Sequence, residues 1–236
     1  MPLLSCRWRR LVPAALIIGS WIPDLPYFVP PHRGSAWTHA ASGPVTVDLV
    51  LGLALFALWE LALRRPLTDL SPRWLRSRLP SANTLTARRW VAAAVSVVLG
   101  ALTHVVWDTF THRDRWGTTH LAGLTAAVGP LPLYKWFQFG SGVLGLAGLA
   151  LWVAFWVRRT MPGADRPQVA PAVRTAAWVM LLVVFVVAAT VAGLVRALTG
   201  QSLEATAVGM ATTSIGAIGA ATLAVGAAWW LSQSRG

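Results

Sequence analysis

Apolar residues in this chain run in long, nearly unbroken blocks rather than in the one-sided stripes of a soluble surface helix. Blocks at about 44–63, 134–157, 175–195 and 206–231 each reach the roughly 20 residues that a bilayer-spanning helix needs. A fifth block, about 91–111, has the length but carries His104 and Asp108 in its second half. The run Leu11–Ile22 follows Arg7, Arg9 and Arg10 and has the shape of a signal-peptide core. Pro23, Asp24 and Pro26 follow it in place of a small-residue cleavage site, so it reads as a retained helix broken near Pro23. The pattern predicts an all-α, polytopic transmembrane bundle of five full spanning helices plus the broken N-terminal helix. It is organised as one integral membrane domain over 1–236: the broken helix in 1–30, a polar-motif core in 31–145, and mainly scaffold helices in 146–236.

Small residues mark expected packing faces. Thr212, Gly216, Ala220, Ala224 and Ala228 recur every four positions, and Gly142, Gly145 and Gly148 every three, which lets helices approach closely in lipid. Trp59, Trp90, Trp152, Trp156, Trp229 and Trp230 sit where interfacial aromatic belts form. Glu60 and Arg64, four apart, read as a tethered charge pair at a helix end.

Composition agrees with this and adds orientation. Of 236 residues, 56% are hydrophobic and 12% charged, with a net charge of +12, too apolar for an ordinary soluble domain. Arginines cluster in 64–90, in 158–174, ahead of Leu11 and at Arg235. Arg33, Arg113, Arg115, Lys135 and Arg196 fall in the remaining segments. Cationic residues accumulate on the cytoplasmic side. This asymmetry puts both termini in the cytoplasm and turns the segments 23–43, 112–133 and 196–205 outward. The arginines flank helix ends, so the expected partner is the lipid bilayer and not a nucleic acid. A single cysteine excludes an intramolecular disulfide and a multi-cysteine zinc site.

The chemistry is concentrated in two polar phrases, His32-Arg-Gly-Ser-Ala-Trp-Thr-His39 and Thr103-His104-Val-Val-Trp-Asp108-Thr-Phe-Thr-His112. Ionisable groups at membrane depth cost roughly 2.5–3.5 kcal/mol each on insertion scales, so a function is the first explanation to seek. His104, Asp108 and His112 are spaced by four, which puts each neighbouring pair on one helical face. Imidazole and carboxylate together suit a divalent transition metal, zinc first and manganese or iron as alternatives. Asp24, His39, His104, Asp108 and His112 are the candidate ligands, with Asp108 and His104 also the candidate catalytic pair. Over the eight residues from His104 to His112 a helix rises about 12 Å. One ion shared by both histidines therefore requires the helix to loosen around Thr109–Thr111; otherwise Asp108 bridges two ions or orients one histidine. Asp48, one turn inside a helix, either snorkels or joins the site. Arg33, Tyr134, Lys135 and Gln138 are candidate contacts to a lipid or phosphoester substrate. His32 and His120 read as solvated loop residues. Two other readings stay open: a proton-coupled transporter, and a non-enzymatic scaffold locked by polar contacts.

Gly19-Ser-Trp-Ile-Pro23-Asp24-Leu-Pro-Tyr-Phe28, Thr38-His39, Gly100-Ala-Leu-Thr-His104-Val-Val-Trp-Asp108-Thr-Phe-Thr-His112 and Pro132-Leu-Tyr134-Lys135-Trp-Phe-Gln138 together resemble a bacterial membrane family catalogued as domain of unknown function 4184. The resemblance covers most of the chain. The family usually opens on a Ser-His-Pro phrase that has no counterpart here. More distantly, the arrangement is similar to membrane-bound metal-dependent hydrolases, and that similarity implies hydrolase chemistry.

Overall fold

The computed structural model describes residues 11–29, 36–80, 85–165 and 167–234. The expectations on Cys6, Arg7, Arg9, Arg10, His32, Arg33, Arg166 and Arg235 fall outside these. Six helices carry the fold: α1 (Pro13–Trp21), α2 (Val47–Leu58), α3 (Ala87–Thr111), α4 (Leu133–Arg159), α5 (Pro171–Leu198) and α6 (Leu203–Gln233). The helices beginning at Ala87, Leu133, Pro171 and Leu203 are long and apolar enough to cross a membrane. The all-α bundle expected from the sequence is therefore the observed architecture. The block 44–63 is helical too, but α2 runs into a π-helical turn, Trp59–Leu63, and on into the short helix Arg64–Leu70. The N-terminal helix breaks where the proline directs. α1 gives way to a 3-10 turn, Ile22–Asp24, and then a single turn, Leu25–Phe28.

The chain divides into two compact units. The first comprises residues 11–23, 36–53 and 85–162, and is built on the pairing of α1 with α3. Glycines make that contact possible, because a Cβ at Gly19 would collide with the Val97 backbone and one at Gly100 with the Leu16 carbonyl. The backbones of α1 and α3 therefore touch directly. Ser96 seals the seam, accepting from the Val12 N–H at 2.9 Å, one of the donors a helix start leaves unpaired, and donating to the Ala92 carbonyl. Gly52 of α2 presses on the Val97 side chain. α4 joins near its Leu133 end, where Trp107 donates its indole N–H to Ser141 Oγ at 3.1 Å. Beyond Tyr134 no residue of α4 is buried, and a Cβ at Gly142, Gly145 or Gly148 would meet nothing within 4 Å. The expected packing stripe on α4 meets no neighbour among the described residues.

The second unit comprises residues 24–29, 54–80 and 163–234, and is built on the hairpin of α5 and α6. The hairpin turns at Gly200, whose φ of +71° lies in the left-handed region open to glycine. Gly209 accommodates the Arg196 side chain, and Gly216 the Phe28 carbonyl. Trp229 and Trp230 are half-buried and donate to Asp69 Oδ2 at 2.7 Å and to the Ala62 carbonyl at 2.9 Å. Both serve as internal hydrogen-bond donors. Arg76 grips Asp165 with two N–H groups, at 2.5 and 2.8 Å. Glu60 and Arg64 form the expected pair at 2.7 Å.

Candidate metal centre

His39, His104 and Asp108 lie in the first unit, gathered at the end of α3 away from Ala87, and Asp24 directly follows Pro23, the last residue of that unit's first segment. Thr86 caps the start of α3 through the Arg89 N–H, and the helix continues without a break to Thr111. His104 and Asp108 thus keep the shared face their spacing predicts, with His104 Nε2 3.4 Å from Asp108 Oδ2. His39 arrives from the turn 36–45. Thr38 is buried there and donates its hydroxyl hydrogen to the Pro23 carbonyl at 2.8 Å. Gly43 fits under the Thr38 carbonyl, where a side chain would collide. His39 Nε2 stands 3.3 Å from the same oxygen, Asp108 Oδ2, and the two imidazoles meet edge to face at 5.5 Å.

Proton bookkeeping decides what this convergence means. His104 Nδ1 lies 2.8 Å from the Ser20 carbonyl, which can only accept, so Nδ1 carries the hydrogen. His39 Nδ1 lies 3.2 Å from Thr38 Oγ1, whose own hydrogen goes to Pro23, so this Nδ1 is also the donor. In the neutral rings both Nε2 atoms therefore present lone pairs, and both lone pairs face a carboxylate oxygen. With both rings neutral, three electron-rich atoms converge, an arrangement that a bound cation would draw together as well as ring protonation does. Asp24 completes the 3-10 turn begun by Ile22 and Pro23. One ligand atom from each of Asp24, His39, His104 and Asp108 lies within 4.8 Å of the others, so this cluster of aspartates and histidines could hold a metal ion.

The spacings fit one. Tetrahedral ligands at about 2.0–2.1 Å from zinc stand about 3.3–3.4 Å from each other, which the two nitrogen–oxygen distances reproduce. The hydrogen bonds of the two Nδ1–H groups to Ser20 and Thr38 are the outer support that orients metal-binding histidines.

His112 is placed differently. The helix ends at Thr111, and His112 takes an extended conformation with φ −121° and ψ 145°. Its Nδ1 approaches the other oxygen, Asp108 Oδ1, at 3.3 Å, and also Thr111 Oγ1 at 3.2 Å. Its Nε2 meets the Gln138 amide nitrogen at 3.0 Å, which donates to it. The ring accordingly gives its hydrogen towards Asp108 and lies outside the group of four. Thr118 anchors the following loop through the His112 carbonyl at 2.9 Å, and Asp114 turns it with a φ of 58°.

Of the expected substrate contacts, Gln138 stands against His112, and its buried carbonyl oxygen meets no donor among the described residues. Tyr134 is buried, and Lys135 Nζ lies 5.9 Å from its ring centre and 5.6 Å from that of Phe139. His120 is exposed as expected but ends the short helix Trp116–His120 and is not in a loop; it stacks on Trp116 and donates to its carbonyl. Asp48 was legible only as a choice between two roles. It is completely buried, neither of its oxygens has a hydrogen-bond partner among the described residues, and it lies within electrostatic reach of His39 and His104.

No curated protein and no solved structure matches the chain, so the likeness to metal-dependent hydrolases rests on the sequence phrases alone. Residues 1–229 match the model of a single family. The chain belongs to the family described as domain of unknown function DUF4184.

Proposed function

We propose that the chain is a membrane-embedded, metal-dependent hydrolase of the bacterial inner membrane, with both termini cytoplasmic and the site at the outer face. The observation that carries the reading is the pair of imidazole lone pairs aimed at one carboxylate oxygen at metal-ligand spacing. Asp24, His39, His104 and Asp108 would hold a divalent ion, zinc first, with manganese or iron as alternatives. Such an ion supplies an activated water near neutral pH and polarises a substrate oxygen. The Ser20 carbonyl and the Thr38 hydroxyl hold the two imidazoles in the ligating tautomer. His112 steadies Asp108 from its second oxygen, and Gln138 fixes His112. The Gln138 carbonyl oxygen is an acceptor for a substrate hydroxyl. Lys135, with Tyr134 beside it and Arg33 from the preceding segment, supplies positive charge and hydrogen bonds for the headgroup of a lipid or phosphoester.

Elemental analysis of the purified, detergent-solubilised chain tests the ligand set. About one or more transition-metal ions per chain are expected, falling at least tenfold in Asp108→Ala. A wild-type protein without metal, or an unchanged content in Asp108→Ala, overturns the proposal.

A further inference from the structure

Asp48 is a carboxylate the four-residue centre does not use. It lies one turn from Gly52 on α2, and Gly52 is pressed on Val97 of α3. Val97 and His104 are two turns apart on one face of α3, so the face of α2 that carries Asp48 runs along the seam leading to the histidines. The side chain is fully buried and neither oxygen finds a donor among the described residues. An isolated carboxylate in an apolar interior is strongly unfavourable, and protonation, pairing or metal binding resolves it.

Charge decides which resolution suits this place. Asp24, Asp48 and Asp108 carry three negative charges when ionised, and His39 and His104 are neutral when their Nε2 atoms ligate an ion. One divalent ion leaves the centre at −1, repelling an anionic substrate. Two leave it at +1, which neutralises Asp48 and attracts a phosphoester. Paired divalent ions some 3.5–4 Å apart are the usual clamp for displacement at phosphorus.

Building on the hydrolase reading above, we infer that Asp48 is the carboxylate of a second divalent-cation position beside the first, making the centre a two-ion site suited to phosphoester substrates.

The test uses the full chain in detergent, stripped of metal and titrated with manganese(II), with ions counted after desalting and paramagnetic resonance recorded at low temperature. Wild type is expected to hold about two manganese ions per chain with a spin-coupled spectrum. Asp48→Asn is expected to hold one, with an isolated six-line signal, and Asp48→Glu to recover the coupling. A wild type with a single uncoupled ion, lost in Asp108→Ala, overturns the two-ion inference and leaves the hydrolase reading intact. A wild type that holds none overturns both. Should Asp48→Asn fail to fold, the wild-type count and coupling decide alone.

Discussion

Asp108 in the first unit and Asp69 in the second are the same residue in similarly secluded places, yet their neighbours give them opposite characters. Asp69 receives a fixed N–H on each oxygen, from the Gln168 backbone at 2.8 Å and from the Trp229 indole at 2.7 Å. Its backbone carbonyl accepts from Arg76 and Arg174. It is a knot, complete as it stands. Asp108 receives one N–H, from His112, while its other oxygen faces two lone-pair nitrogens. Burial of an aspartate alone therefore says little. What separates a structural carboxylate from a ligating one is whether its neighbours bring hydrogens or lone pairs.

Matched substitutions sharpen the contrast. Asp108→Asn keeps the shape but removes the charge, and metal affinity is expected to fall more than 100-fold in competition with a chelating dye. The melting temperature of the metal-free protein should stay level or rise. Asp69→Asn sets an amide NH2 against the Trp229 or Gln168 donor. It should destabilise by about 3 kcal/mol, the upper range for a buried unpaired polar group, with metal content unchanged. Should Asp69→Asn lose the ion, or Asp108→Asn lose stability and keep it, the contrast fails.

A smaller effect is expected from His112→Ala, a loss of about tenfold or more in metal affinity, as found for groups that orient a ligand from behind. His120→Ala, at the exposed histidine that ends the short helix Trp116–His120, should leave affinity alone. The smallest effect is expected from Asp165, whose carboxyl the Arg76 hydrogen bonds hold below its ordinary range. A group with a lowered folded pKa stabilises fully above its unfolded value of about 4 and loses that contribution as pH falls through the folded one. The wild type should thus be slightly more stable than Asp165→Asn above about pH 4, with the difference shrinking as pH falls below it, and Asp165→Asn should flatten the acid slope of stability.

The helices were legible in the sequence because length and hydropathy alone dictate them, and the break near Pro23 because proline cannot continue a helix. His104 and Asp108 were legible because their spacing fixes a shared face once the helix exists. Three features were not. His112 satisfies the same spacing rule, but the helix ends one residue earlier, and its ring is redirected to the other carboxylate oxygen. Asp48 stands alone in an apolar block, with no periodic partner to reveal that it points inward and not towards headgroups. The glycines of α4 have the spacing of a packing stripe and yet meet no neighbour among the described residues, because a small residue permits close approach without supplying the neighbour.

His104 owes its tautomer to the Ser20 carbonyl, a main-chain atom one residue past the Gly19 contact. Replacing the serine side chain leaves that anchor in place, so an alanine scan would pass over position 20 in silence. The determinant would surface only through Gly19 or Gly100, where added bulk pries the two backbones apart and lets the imidazole swing. Variants at two residues without any chemistry of their own would then mimic the loss of a ligand.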